Sequence, residues 1–186
     1  MRFAGVLKNF SIFVPMISDP VLYLDYDGVL HPADVRVSPT DRRPQVYKRG
    51  QPANHPLFEH LPLLESVLEP FEQLRIILST SWVREFSYNF ALEQLTPSLQ
   101  ERVIGTTLYP APARYYCIQI DAEERGIERW LALDDDLNMW PEKELHRVVA
   151  PTDRLLGLAQ PGVAEQLSAA LEELCRPPKM HLEGFA

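Results

Sequence analysis

The chain has 186 residues, a length typical of a single domain, and we predict one domain over residues 1–186. Its hydrophobic content of 46% excludes intrinsic disorder of the whole chain. The 26 acidic and 18 basic residues give a net charge of −8, which argues against non-specific nucleic-acid binding through a basic surface. No apolar run approaches the roughly 20 residues of a membrane span, and two cysteines, Cys117 and Cys175, indicate reduced thiols in a cytoplasmic protein.

Residues 1–19 precede the first predicted strand and contain a short apolar stretch. Pro15 interrupts this stretch and no small-residue cleavage pattern follows it, so we predict an N-terminal arm that packs on the domain. The first strand is predicted at 21–24, where an apolar run is followed directly by Asp-Tyr-Asp-Gly. Such a run is typical of a strand that is buried on both faces of a parallel sheet.

Residues 31–56 differ from the rest of the chain because they are rich in proline and in basic residues. They contain five of the 17 prolines, and their basic residues are Arg36, Arg42, Arg43, Lys48 and Arg49. We predict a Pro-rich basic flap, and two interpretations stay open. The segment is either a solvated surface loop or a flap that faces the substrate and attracts phosphate.

Strands and helices alternate through the remaining sequence. Further apolar runs predict strands at 75–78 and 130–133, with weaker candidates at 103–104 and 147–149. Apolar residues spaced by three and four predict helices at 57–73, 84–95, 115–127 and 161–175, the last with Pro161 in its first turn. This alternation indicates an α/β fold in which helices cover both faces of a central parallel sheet.

Polar residues follow three of the predicted strands at the point where each strand ends. They are Asp25-Tyr26-Asp27-Gly28, Ser79-Thr80-Ser81 and Asp134-Asp135-Asp136. In open parallel sheets, ligands bind beyond the carboxyl ends of the strands. Several carboxylates brought together there need a counter-charge, and carboxylate oxygens suit Mg²⁺, which in turn indicates phosphoryl chemistry.

These strand ends resemble the motifs of a known family. Asp25-Tyr-Asp-Gly-Val-Leu resembles the first motif of the haloacid dehalogenase-like (HAD) hydrolases, Leu78-Ser79-Thr80 the second, and Ala132-Leu133-Asp134-Asp135 the fourth. The resemblance covers about residues 20–175 and implies a three-layer Rossmann-like HAD fold. Gly-Val-Leu-His-Pro, Thr-Ser-Trp and Leu-Asp-Asp are similar to the HAD domain of Swiss Army Knife RNA repair proteins.

The resemblance implies a role for each residue of the first motif. Asp25 is the nucleophile that forms an aspartyl-phosphate, and Asp27 is the general acid and base. An acid at position 27 disfavours dehalogenation, which has no leaving alkoxide to protonate. Gly28 permits a sharp turn and a close backbone approach to the substrate.

The resemblance also implies a metal site and a phosphate-binding hydroxyl. Mg²⁺ is expected on the Asp25 carboxylate, the Asp27 backbone carbonyl and Asp134, with Asp135 binding directly or through water. Thr80 is expected to donate a hydrogen bond to a phosphoryl oxygen, and Ser79 is the alternative.

The third motif of the family is usually a lysine, and this chain has none between its second and fourth motifs. An arginine must supply that charge, or the position is empty. We choose Arg114 because it precedes the helix that leads into the third predicted strand. Arg125 and Arg129 are the alternatives.

Two bulky residues close to the motifs have two interpretations each. Trp82, directly after the second motif, is either a core residue or part of the pocket wall. His31, directly after the first motif, either contacts the leaving group or packs within its loop.

The short gaps between motifs predict a minimal cap or flap and therefore an open crevice. Such a crevice admits a phosphorylated small molecule, a bulky phosphate ester or a nucleic-acid end, with Arg42 and Arg43 expected to bind the substrate. We predict an Mg²⁺-dependent phosphomonoester hydrolase. The alternatives are a non-catalytic module that binds a phosphorylated ligand or protein, and a phosphotransferase.

Overall fold

The computed structural model describes residues 17–40, 42–107, 111 and 113–177. The strands are β1 (Val21–Leu24), β2 (Val35–Val37), β3 (Pro44–Lys48), β4 (Gln51–Pro52), β5 (Arg75–Leu78), β6 (Val103–Thr106), β7 (Trp130–Leu133) and β8 (Val148–Val149). The α-helices are α1 (Leu61–Leu68), α2 (Trp82–Glu85), α3 (Tyr88–Leu92), α4 (Pro97–Gln100), α5 (Arg114–Arg125) and α6 (Val163–Cys175). Short 3₁₀ helices span Glu142–Arg147 and Gly157–Ala159.

The central sheet is parallel and has the strand order β6-β5-β1-β7-β8. Its three middle strands are the apolar runs of the sequence, and β1 and β7 are buried along their whole length. Burial on both faces explains why these runs do not alternate with polar residues. The predicted α/β fold with a central parallel sheet is confirmed.

The register of the sheet brings three strand ends to one level. Leu24 at the end of β1 pairs with Leu78 of β5 on one side and with Leu133 of β7 on the other. The next residue of each strand is therefore Asp25, Ser79 or Asp134. Parallel strands that end together place these residues on the same edge of the sheet.

Alternate residues of the strands contact different helical layers. Leu22 and Leu24 belong to a large core cluster with α1 and α6, whereas Val21 and Tyr23 belong to a second cluster with α5. This is the period of two that a β-strand imposes on its side chains. The helices therefore cover both faces of the sheet.

The predicted helix at 57–73 is wrong at both ends, because α1 spans only Leu61–Leu68. At the first end, Phe58 has a φ of +59°, which is incompatible with a right-handed helix. At the second end, Glu69 still has a helical conformation, but Pro70 has no backbone N–H with which to continue the helical hydrogen bonds.

The predicted helix at 84–95 is two short helices, α2 and α3, separated at Phe86 and Ser87. The Ser87 hydroxyl accepts a hydrogen bond from the Phe90 N–H at 3.1 Å and so caps the second helix. A serine competes with helix continuation in this way, and apolar spacing alone does not reveal it.

The last two predicted helices differ from the structure only at their ends. The segment predicted at 115–127 is α5, and Gly126 ends it in the left-handed conformation with a φ of +64°. The segment predicted at 161–175 is α6, which begins after Gly162, whose φ is +88°. Pro161 therefore lies before the first turn and not in it.

The flap predicted at 31–56 contains an antiparallel sheet with the order β2-β3-β4. Lys48 pairs with Gln51, so Arg49 and Gly50 form a two-residue hairpin loop. Both have positive φ values, +52° and +77°, as the favoured hairpin turn requires. Val46 of β3 is buried, so the flap is an ordered element packed on the domain.

Residues 1–16 of the predicted N-terminal arm lie outside the described residues. Ile17 packs against the second core cluster, and Asp19 pairs with Arg75 at 3.0 Å. Among the described residues, no helix has the length and apolar character needed to cross a membrane.

Candidate active site

Three aspartates form a cluster at the carboxyl edge of the sheet. One carboxylate oxygen from each of Asp25, Asp134 and Asp135 lies within 4.8 Å of the other two. Asp25 follows β1, and the other two residues follow β7, which is the adjacent strand. The first two are buried, with 5% and 1% of their surface exposed. The set consists of oxygen ligands, which suit a hard cation such as Mg²⁺.

Arg114 supplies positive charge to this cluster from the first residue of α5. Its terminal nitrogen lies 3.5 Å from Oδ1 of Asp25, and its Nε lies 3.0 Å from Oδ2 of Asp134. The two alternative arginines lie elsewhere. Arg125 pairs with Asp121, and Arg129 donates to the carbonyl of Leu174.

The carboxyl groups of the cluster hold protons more tightly than exposed aspartates do. Burial raises the pKa of Asp25 well above its ordinary value, the charge of Asp134 raises it further, and Arg114 partly offsets both effects. Burial likewise raises the pKa of Asp134 to about 7, again against the effect of Arg114. One arginine does not fully compensate two buried carboxylates.

The residues present fit a cation. Oδ2 of Asp134 is buried and accepts no hydrogen bond from the described residues, because the nearby Nε–H of Arg114 is poorly aligned with it. Its other oxygen accepts the backbone N–H of Asp136 at 2.9 Å. A lone pair of Oδ2 is therefore available to a metal ion.

Gly28 and Asp135 are packed against each other. Gly28 has a φ of +74°, and a Cβ atom at this position would overlap the Asp135 carboxylate. The same oxygen, Oδ2 of Asp135, accepts a 2.6 Å hydrogen bond from Nε of Arg154. Gly28 was predicted to allow a close approach to substrate, and the close approach that the structure shows is to Asp135.

Asp27 stands apart from the cluster, although it is only two residues from Asp25. Its Oδ1 accepts a hydrogen bond from Nε1 of Trp82 at 2.9 Å and lies 3.0 Å from Nε2 of His31. Its Oδ2 lies 3.4 Å from the Ser81 hydroxyl. The carboxylate is thus held by residues that follow the first and the second motif.

Sequence reasoning identified Trp82 and His31 but not their shared partner. Trp82 is 1% exposed, in agreement with its interpretation as a core residue, and its indole N–H reaches Asp27 as well. His31 is fully buried, so it packs within its loop and does not contact a leaving group itself. The sequence signal for this contact is that a buried indole N–H usually has an acceptor.

The two candidate hydroxyls of the second motif have different surroundings. Both Ser79 and Thr80 are buried at the end of β5. The Thr80 hydroxyl accepts the backbone N–H of Trp82 at 3.4 Å, whereas the Ser79 hydroxyl has no partner among the described residues. Both remain candidates for the phosphate-binding hydroxyl.

Comparison with protein families agrees with this geometry. The family model described as the HAD domain in Swiss Army Knife RNA repair proteins matches residues 21–163, which include all three predicted motifs. The chain belongs to this HAD family. A search of curated proteins gave no match. The family match, together with the aspartate cluster, supports a HAD-family phosphohydrolase in general terms.

The flap of this HAD domain contributes to a cavity beside the aspartate cluster. Tyr47, Lys48 and Arg49 of the flap line it together with Arg154, and its volume is about 450 Å³. Because Arg154 also binds Asp135, it connects the cavity to the cluster. Arg42 and Arg43, which were predicted to bind substrate, are exposed between β2 and β3 and do not line this cavity.

Proposed function

We propose that this HAD domain is an Mg²⁺-dependent phosphohydrolase that acts on phosphomonoesters with Asp25 as the nucleophile. The observation that supports it best is the buried cluster of Asp25 and Asp134 with Arg114 between them. Asp25, Asp134 and the Asp27 backbone carbonyl would hold the ion, with Asp135 binding directly or through water. The bound ion would supply positive charge that stabilises the charge on the phosphoryl oxygens.

The reaction divides into two displacements at phosphorus. A carboxylate oxygen of Asp25 attacks phosphorus, the bond to the leaving oxygen breaks, and Asp27 donates a proton to that oxygen. Asp27 then removes a proton from water, whose oxygen attacks the aspartyl-phosphate. Phosphate leaves, and the Asp25 carboxylate is restored.

Arg114 takes the part of the lysine that the third motif usually supplies. Its guanidinium group is always charged and can bind two phosphoryl oxygens at once. It already touches the nucleophile Asp25, so a phosphoryl group transferred there lies within its reach. Thr80 or Ser79 donates a further hydrogen bond to the same group.

We further propose a nucleic-acid end as the substrate. The description of the family names RNA repair, and the cavity beside the cluster is lined by three cationic side chains and one tyrosine. The acidic residue of its lining, Asp34, is paired with Arg36 at 2.7 Å. Cations attract the phosphates of a polynucleotide, and an aromatic ring can stack on a base. Apart from residue 41, the elements between Asp27 and Thr80 are the flap strands, α1 and the sheet strand β5, which leave a cavity open to solvent.

The proposal is tested by replacing the nucleophile. We expect Asp25→Asn to lose at least about a thousandfold in the rate of p-nitrophenyl phosphate hydrolysis with Mg²⁺, since an amide oxygen is a poor nucleophile. Asp136→Asn is the matched control, because Asp136 follows the same strand as the cluster but is exposed. Full activity of the Asp25→Asn variant would exclude the mechanism.

The same assay distinguishes the alternative functions. A non-catalytic module would bind phosphate in the presence of Mg²⁺ without releasing product from any ester. A phosphotransferase would transfer the phosphoryl group to an added alcohol or nucleoside in preference to water, and the phosphorylated acceptor would appear by mass spectrometry.

A further inference from the structure

We propose that Trp82 and His31 are positioning residues that hold Oδ1 of Asp27, so that Oδ2 carries the transferred proton. This inference rests on the proposed function, in which Asp27 is the general acid and base. Neither residue can contact substrate, because Trp82 is 1% exposed and His31 is 0% exposed. Both therefore act through Asp27, whose side chain is 25% exposed.

The two contacts to Oδ1 are both hydrogen-bond donors. The indole Nε1–H of Trp82 can only donate, and it lies 2.9 Å from Oδ1 of Asp27. The role of His31 depends on its tautomer, which its other ring nitrogen determines. The backbone N–H of Phe58 donates to Nδ1 of His31 at 3.3 Å, so Nδ1 carries no proton. Nε2 then carries the proton and donates it to Oδ1 at 3.0 Å.

Two donors on one oxygen make the two carboxylate oxygens of Asp27 chemically different. A proton placed on Oδ1 would point into two N–H groups, so the acid form is protonated on Oδ2. The contact of Oδ2 with the Ser81 hydroxyl is long, at 3.4 Å. The proton leaves Oδ2 for the leaving-group oxygen as the phosphorus–oxygen bond breaks. It is replaced by a proton from the attacking water.

Aromatic packing keeps these donors in place. The Trp82 ring lies 5.5 Å from the His31 ring and 5.1 Å from the Phe58 ring, and the latter two are 4.7 Å apart. The Tyr26 ring also packs on Trp82, at 5.9 Å. Edge and tilted contacts of this kind restrict ring rotation in a close-packed core. These packed rings thus fix the direction of the Trp82 and His31 N–H groups, as general acid catalysis requires.

The inference is tested by removing one donor and comparing two leaving groups. Trp82→Phe removes the indole N–H but keeps an aromatic ring. An alkyl leaving group needs its proton much more than p-nitrophenolate does. We therefore expect Trp82→Phe to lower kcat/KM, which reports only the first displacement, roughly 10- to 100-fold on glycerol phosphate and less than about threefold on p-nitrophenyl phosphate.

Trp140→Phe is the matched control. Trp140 is also buried, and its indole N–H has no partner among the described residues. The substitution removes the same atoms from a core tryptophan that does not contact Asp27, so the ratio of the two activities should stay that of the wild type.

A second pair of variants keeps the inference testable if Trp82→Phe does not fold. His31→Gln retains an N–H donor at the end of a side chain of similar length, whereas His31→Phe removes it. We expect His31→Phe to lower kcat/KM on glycerol phosphate selectively, and His31→Gln to restore most of the difference. Thermal unfolding of each variant separates loss of fold from loss of positioning.

The outcomes separate this inference from the proposed function. Equal losses of kcat/KM on both substrates in Trp82→Phe or His31→Phe, with an active wild type, would overturn the positioning role alone. A wild type that hydrolyses neither ester would overturn the proposed function and this inference with it. A selective loss on the alkyl ester, absent from Trp140→Phe, would support both.

Discussion

Gly28 shows how closely one residue can be constrained at this site. Its positive φ and its contact with Asp135 are separate requirements: the first disfavours a side chain, and the second leaves no space for one. Gly50 in the flap shares the positive φ, at +77°, but has open space where a Cβ would lie. A comparison of substitutions at the two glycines therefore distinguishes the effect of backbone conformation from the effect of packing.

We predict that Gly28→Ala is more destabilising than Gly50→Ala by about 1–3 kcal/mol in the free energy of unfolding, because the added methyl group overlaps a buried carboxylate. Both substitutions carry a similar backbone penalty at positive φ. Denaturant unfolding of the two variants measures the difference. Equal destabilisation would mean that Asp135 moves aside freely.

Residue identity predicted the chemistry of the motifs but not all of their contacts. Asp25 and Asp134 were predicted from their positions after apolar strands, and the sheet register brings them together. The hydrogen bond from Trp82 to Asp27 joins residues 55 positions apart, and no local pattern predicts it. Such contacts depend on where the chain returns in three dimensions.

The helices were predicted less well than the strands of the central sheet, and the three strands of the flap were not predicted. Strand positions follow from apolar runs that only a buried sheet explains. The ends of α1 and the break between α2 and α3 depend instead on a positive φ at Phe58 and on the cap of Ser87. Both features interrupt a helix at positions where the spacing of apolar residues is still that of a helix. Apolar spacing alone therefore does not predict them.

The flap is the element on which the proposed substrate depends. Its hairpin presents Lys48 and Arg49 to the cavity that also contains Arg154. If a polynucleotide crosses this cavity, each of these cations replaces a condensed counterion when it contacts a phosphate.

We predict that the double variant Lys48→Gln/Arg49→Asn binds a phosphorylated oligonucleotide more weakly. The slope of the logarithm of the binding constant against the logarithm of the salt concentration should be shallower by about 1 for each phosphate that is no longer neutralised. Asparagine suits the positive φ of residue 49, so the turn is kept. Arg84→Gln is the control, since the Arg84 side chain is 78% exposed on α2 and does not line the cavity. An unchanged KM and salt slope for the oligonucleotide would show that the strand takes another path.

Across the molecule, a buried network anchors α5 so that Arg114 faces the cluster. Asp121 of this helix accepts a hydrogen bond from the Tyr23 hydroxyl at 2.9 Å and pairs with Arg125 at 2.9 Å. Arg125 in turn donates to the carbonyl of Thr106 at 3.1 Å. The network ties one helix to β1 and β6, and it gives Arg125 a structural partner away from the cluster.

The cluster also links the stability of the whole fold to pH and metal. The pKa of Asp134 is about 7 in the folded chain against 3.8 in a free aspartate, so the folded state retains the proton longer. The contribution of Asp134 to the free energy of unfolding is therefore fully present below about pH 4 and is lost as pH rises through about 7. A bound cation would replace the proton and reverse this loss.

We predict that the metal-free wild type loses a few kcal/mol of unfolding free energy between pH 4 and pH 8, and that Asp134→Asn loses clearly less. Mg²⁺ should raise the melting temperature of the wild type more at pH 8 than at pH 5, and not that of Asp134→Asn. Asp136→Asn is the control and should behave as the wild type. An equal rise in melting temperature with Mg²⁺ in the wild type and in Asp134→Asn would mean that the ion binds elsewhere.

The parallel sheet, the three motif-bearing strand ends and the family all follow from the amino-acid sequence alone. Apolar runs and the residues that follow them are local properties, and the register of parallel strands then brings their ends to one edge. The three-dimensional structure was needed to show which arginine faces the aspartates, what holds Asp27, and which flap cations line the cavity. Those contacts join distant segments, and packing, not local spacing, determines which segments meet.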